Sequence, residues 1–116
     1  MDTFLPALLT EAKKRGVPIE KILPLVTRNP ARRMGLTNKG RLEAGADADI
    51  AVLDLNANWT VDNADMATDA GYSTLHGQTM TAKVVHTLSR GGFVLRDGVL
   101  SESSIGQGRY VARKLG

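Results

Sequence analysis

The chain contains no cysteine, so it can form neither a disulfide nor a thiolate metal site. That fits a reducing compartment, and a cytoplasmic location is expected. Aromatic residues are scarce: two Phe, two Tyr and one Trp. A core must therefore come from Leu, Val, Ile, Ala and Met. No apolar run approaches the roughly 20 residues that a membrane helix needs, so no membrane partner is expected. Residues Met1 to Leu9 lack a basic leader and a long apolar run, so no signal peptide is expected. Only two histidines are present, His76 and His86. At 116 residues, the length supports one domain at most.

The chain is organised around residues 39–55, KGRLEAGADADIAVLDL. Gly40 and Gly45 allow the backbone to turn without steric cost. The acidic step Ala46-Asp47-Ala48-Asp49 follows. Ile50 to Leu53 is then a short apolar run with the length and β-branching of a buried strand. The chain reads as helical before this stretch and as strands and turns after it.

Phe4, Leu5, Leu8, Leu9 and Ala12 are spaced for a helix over residues 3–15, with Asp2 or Thr3 as cap. Lys13, Lys14 and Arg15 suit its last turn and Gly16 its end. A second helix is expected over residues 17–28, with Pro18 at its first position and a kink at Pro24. Asn29 is expected to cap a short third helix over residues 30–34, ended by Gly35. Trp59 to Val61 reads as a short strand. Residues 62–81 read as a long loop with one helical turn near 65–67, and a loop of that length usually has a task or a covering partner. Residues 83–89 form a strand with Val84, His86 and Leu88 on one side. Arg90-Gly91-Gly92 turns it into a hairpin with residues 93–96. Asp97-Gly98 is the strongest two-residue turn signal, with Val99-Leu100 after it. The rest, to Gly116, reads as a tail that could dock through Tyr110.

The chemistry-bearing residues are few. A metal site would need His76 and His86 to converge with a carboxylate such as Asp65 or Asp69, and their spacing gives that no mechanical support. His86 reads as a hydrogen-bonded strand residue and His76 as a loop residue. Asp47 and Asp49 would point the same way in an extended segment. Such a pair can do acid–base work or can fix a turn by accepting backbone N–H bonds. The two upstream glycines favour the turn, and Asp54 reads as a stop signal. No serine sits in a nucleophile elbow and no glycine run forms a phosphate loop. Basic residues gather in Arg28 to Arg41 and in Arg109 to Lys114. They read first as a solvated helix end and a tail, with a phosphate or nucleic-acid patch as the functional alternative.

These motifs, in order, carry a resemblance. Residues 29–36 (NPARRMGL), then Lys39-Gly40-Arg41, then residues 45–54 (GADADIAVLD) resemble the C-terminal region of the amidohydrolase superfamily. Gly77, residues 84–88, Arg90-Gly91, residues 94–98 and residues 106–110 continue it. The order is similar to the cyclic-amide hydrolases: hydantoinase, dihydropyrimidinase, allantoinase and dihydroorotase. The final segment tilts the resemblance toward hydantoinase or dihydropyrimidinase.

The resemblance implies an α+β fold. Residues 1–38 would be helices closing the end of a TIM barrel. Residues 39–116 would be the C-terminal part of a small, mainly antiparallel β-sandwich plus a tail. The family's metal ligands lie upstream of the matched region. No catalytic, cofactor-binding or metal residue is therefore carried onto this chain, although the intact parent is expected to hold a divalent metal such as zinc. The expected function is that of a structural C-terminal fragment of a metal-dependent hydrolase of cyclic amides, inactive alone. Its expected partners are the rest of the parent or further copies of itself, because lost neighbours would leave apolar faces and an unpaired strand edge. Nucleic acid is not expected.

The alternative is a stand-alone basic binding module without catalysis, and a weaker option is a site formed across a homodimer by His76 and His86. Arg28, Arg32, Arg33 and Arg41 discriminate. One shared exposed face would favour the binding module, whereas pairing with Asp47, Asp49 or Asp54 would favour the fragment.

Overall fold

A computed structural model describes residues 2–114. Met1 and the last two residues of the expected tail lie outside the described residues. Three helices precede six strands: α1 (Phe4–Lys14), α2 (Ile19–Val26), α3 (Arg28–Arg33), β1 (Ile50–Asp54), β2 (Trp59–Thr60), β3 (Thr79–Met80), β4 (Lys83–Ser89), β5 (Gly92–Arg96) and β6 (Val99–Leu100). The class is α+β. One sheet has the order β1-β4-β5-β6, and β2 pairs with β3 in a second sheet. The pairs β2–β3, β4–β5 and β5–β6 are antiparallel. The chain packs as two compact units, each built from two separate stretches. Residues 1–19 and 53–84 make the first, and residues 20–52 and 85–116 the second.

In the first unit, α1 ends as its sequence dictates. Gly16 donates to the Lys13 carbonyl and Val17 to the Ala12 carbonyl, which satisfies the final turn. Thr3 stands at the N-cap without a side-chain bond. Leu9 and Ala12 are buried on one side of α1, and Val61, Met80 and Ala82 complete the small core. Val61 and Met80 are the most enclosed, at 0% and 2% exposure. The Trp59 indole N–H donates to the Ala82 carbonyl at 2.9 Å, so the one Trp meets its polar need inside the unit. The loop expected over residues 62–81 differs in two respects. Its turn is a 3-10 segment at Asn63–Asp65, started by the Asp62 carboxylate accepting from the Ala64 N–H at 3.0 Å. Its end is the short strand β3, which the sequence reading missed because two residues carry no periodicity.

In the second unit, α2 runs through Pro24 and stops two residues later at Val26. Thr27 then leaves helical geometry, so α3 starts at Arg28 and places Asn29 inside the first turn rather than at the cap. Pro30 is tolerated there because first-turn N–H groups have no helical partner. Gly35 ends α3 as expected, with Gly35 donating to Arg32 and Leu36 to Ala31. Two hairpin turns follow one rule. Arg90-Gly91 and Asp97-Gly98 both have positive φ at each residue, the geometry that matches strand twist. Gly92 therefore begins β5 instead of finishing the turn. A bulge between Thr87 and Leu88 breaks the strict alternation expected of β4. β1 also departs from expectation: Ala51 and Val52 are exposed because β1 lies at a sheet edge. Tyr110 does not dock; it is 91% exposed.

Candidate functional site

The acidic step before β1 is the most connected polar feature of the second unit. Asp47 and Asp49 do face one group, and it is a lysine. The Lys39 ammonium lies 2.8 Å from the Asp47 carboxylate and also bonds Asp49. The other Asp49 oxygen accepts the Arg90 N–H at 2.8 Å, and Gly91 donates to the Ala48 carbonyl at 3.0 Å. Asp47 donates its own N–H to the Asn38 carbonyl. The pair therefore ties the loop ahead of β1 to the β4–β5 turn. Burial pushes the Asp49 carboxyl up, but the Lys39 hydrogen bond and the Arg90 N–H outweigh it and hold the group below its ordinary value. Hydrogen bonds to Asp47 and then Asp49 hold the Lys39 ammonium above its ordinary value. Both shifts favour the ions over the neutral forms. That suits a structural clasp, whereas proton transfer needs one group poised to change state.

Lys39 was the missed partner. The signal was present: it precedes the two acids by eight and ten residues, with Gly40 and Gly45 between. Gly40 has φ +75, and a Cβ there would stand 2.7 Å from the Thr27 carbonyl oxygen and 2.8 Å from the Ala31 side chain. Only glycine lets the loop pass α3 this closely.

The histidines belong to different units. His76 Nδ1 accepts the Asn63 N–H at 3.2 Å, within the first unit. His86 Nδ1 accepts the Asp97 N–H at 3.0 Å, and its ring stands edge-on to Phe93. Each ring fixes a turn with its lone pair. Asp54 ends β1 by accepting the Asn56 N–H at 2.9 Å. No three His, Cys, Asp or Glu side chains group as metal ligands among the described residues.

The discriminating arginines give a mixed result. Arg41 bonds the Thr37 carbonyl and pairs with Glu43. Arg28, Arg32 and Arg33 are exposed on α3 and make no ion pair among the described residues. None of the four pairs with Asp47, Asp49 or Asp54.

Two grooves lie within the units. One of about 270 Å³ in the first unit is lined by Leu9, Ala12, Val17, Leu55 and Ala82. Thr81 also lines it, its hydroxyl buried without a hydrogen-bond partner. The other, of about 550 Å³ in the second unit, is lined by Val94 and Gln107 among others and bordered by Arg90 and Arg109. The Arg90 side chain is held there by the Gln107 carbonyl at 2.5 Å.

Comparison with known proteins completes this picture. The family model described as "Amidohydrolase family" matches residues 10–95. An allantoinase of Streptomyces avermitilis is 36% identical over 110 residues, covering 95% of this chain and 24% of its own length. A dihydroorotase of Methanothermobacter thermautotrophicus is 34% identical, covering 96% of this chain and 25% of its own. The solved L-hydantoinase from Arthrobacter aurescens superposes with a TM-score of 0.78 at 31% identity, over 84% of this chain and 22% of that one. The chain thus spans about a quarter of the length of the relatives it matches. The helices followed by antiparallel strands match the corresponding quarter of the solved hydantoinase. By the matched family model, the chain belongs to the amidohydrolase family, and it is similar to an allantoinase, a dihydroorotase and a hydantoinase.

Proposed function

We propose that this chain is the C-terminal part of a metal-dependent hydrolase of cyclic amides, of the hydantoin or dihydropyrimidine type. Residues 1–38 would close its barrel and residues 39–116 would complete its small sandwich domain. The observation that carries this is the coverage: nearly the whole chain aligns with only a quarter of each relative. The role of this part is structural. Its own residues do not fit the metal centre of the parent. Both histidines already spend Nδ1 on a backbone N–H, and the Asp97 carboxylate, 3.8 Å from His86 Nε2, completes no group of three possible ligands among the described residues. Zinc is assigned to the parent's other residues.

Uncovered apolar surface supports the reading. Val99 is 69% exposed on β6 and Val52 41% exposed on β1, the two edge strands of their sheet. Edges of this kind call for a covering neighbour, either the rest of the parent or another copy of the chain. The cysteine-free composition fits the cytoplasm. Among the described residues no helix is long and apolar enough to cross a membrane.

The test is metal content and hydrolysis of dihydrouracil and hydantoin by the purified chain after zinc loading. The expected result is no stoichiometric zinc and no turnover. Stoichiometric zinc with turnover would overturn the proposal, since the two histidines would then have to be ligands.

A further inference from the structure

The two basic runs of the sequence, separated by residues 42–108, meet in the second unit. Lys114 donates its N–H to the Gly35 carbonyl at 2.9 Å. Gly35 follows Met34, the C-cap of α3, and a Cβ on it would stand 2.6 Å from the Lys114 carbonyl oxygen. The tail therefore lies against the end of the arginine-bearing helix. Arg28 and Arg32 are one turn apart on the same side of α3, with Arg33 beside them. Arg113 and Lys114 arrive from the tail. All five side chains are exposed, and none makes an ion pair among the described residues. Lys39 and Arg41 in the same unit, and Lys14 and Arg15 in the other, contrast with them, since each has a carboxylate partner. The second unit carries eleven Lys and Arg against six Asp and Glu, so its excess positive charge has no internal sink.

We propose that α3 and the tail form a docking surface for an acidic polypeptide segment that also carries apolar residues. Charge complementarity sets the acidic character. Uncovered apolar groups next to the cations in sequence set the rest: Met34 is half exposed, and Val111 and Tyr110 are exposed too. Arg, Met and Tyr are the residue types enriched at protein interfaces, while Lys is depleted there. Four of the five cations are arginines. Single-stranded nucleic acid, by contrast, is held by several aromatic side chains on which bases stack. Here the surface offers only Tyr110. The proposal does not depend on the hydrolase reading and adds a partner to it.

The test uses the whole 116-residue chain and three labelled probes of comparable length, followed by fluorescence anisotropy. They are a peptide repeating Glu-Glu-Leu, a peptide repeating Glu-Glu-Gly and an oligothymidylate. The Leu peptide should bind several-fold more tightly than the Gly peptide and at least tenfold more tightly than the oligonucleotide. Binding should weaken steeply between about 50 and about 200 mM salt. R32E/R33E and R113E/K114E should each cut affinity for the Leu peptide at least tenfold. K14E/R15E makes the same change in net charge on cations that already have a carboxylate partner, and should leave affinity within twofold. Circular dichroism checks that every variant keeps the wild-type fold. Equal weakening by all three variants would reduce the effect to net charge and overturn the proposal. So would tighter binding of the oligonucleotide, or no peptide binding at low salt.

Discussion

The two units of this chain hold together in different ways. The first encloses nearly all of the core: Leu9, Ala12, Val61, Met80 and Ala82 are buried there, and the Trp59 indole is satisfied beside them. Among the described residues, the second buries only Ala31 of its apolar side chains. It is held by hydrogen bonds, by the Lys39–Asp47–Asp49 clasp and by turns that need positive φ. Apolar burial contributes about 25 cal/mol per Å² wherever area leaves water. Polar clasps contribute far less net free energy, because each replaces bonds to water. The first unit should therefore resist local opening more strongly than the second.

The largest effect that tests this contrast is Met80→Ala. Removing a buried Met side chain costs about 2–5 kcal/mol, and in so small a core this should abolish cooperative unfolding of the first unit. Trp59 fluorescence during urea titration reads that unit alone. Next comes Gly40→Ala in the second unit, where the added Cβ meets backbone at 2.7 Å and the φ is positive. A loss of about 2 kcal/mol or more is expected from strain and clash together. Gly45→Ala, at φ +86 but in open space, should cost only the backbone term, about 1 kcal/mol. Equal losses at the two positions, measured by amide exchange in the second unit, would show that the close approach of Gly40 is not a constraint.

Thr81→Val should stabilise the first unit by about 1 kcal/mol, because it removes a buried hydroxyl that has no partner. A destabilisation in the same urea assay would show that the hydroxyl is satisfied in solution. The smallest effect at neutral pH is expected from Asp49→Asn. Its reading is in the pH profile. The Asp49 pKa is lowered in the fold, so its stabilisation is complete above the ordinary carboxylate range and is lost as pH falls through the lowered value. The Lys39 pKa is raised, so its contribution is complete below the ordinary ammonium range and is lost as pH rises through the raised value. Asp49→Asn should flatten the acid limb of second-unit stability and leave the Trp59 signal of the first unit unchanged. An unaltered acid limb would assign it to other carboxylates.

What could be read in advance divides along a physical line. Local chemistry was legible. Gly16 and Gly35 end their helices, Asp97-Gly98 and Arg90-Gly91 make hairpin turns, and Asp54 stops its strand, because each depends on a residue's own backbone preferences and near neighbours. The ordered motifs from Asn29 to Tyr110 were enough to indicate the family. Readings that depended on distant residues were less secure. Asn29 lost the cap because Thr27 broke the helix earlier. β3 was missed because its two residues are defined by pairing with Trp59 and Thr60. Ile50 to Leu53 has the composition of a buried strand, yet its burial depends on which strands flank it, and one flank is open.

The sequence by itself determined the glycine stops of α1 and α3, the hairpin turns, the lack of cysteine chemistry and the family. Those follow from residue identity and short-range spacing. Only the tertiary structure decided that Lys39 holds the two acids, that each histidine fixes a turn with its lone pair, and that the tail lies against α3. Each of these joins residues at least eight positions apart. No residue's own preference encodes such a contact; it forms only when the fold brings the two stretches together.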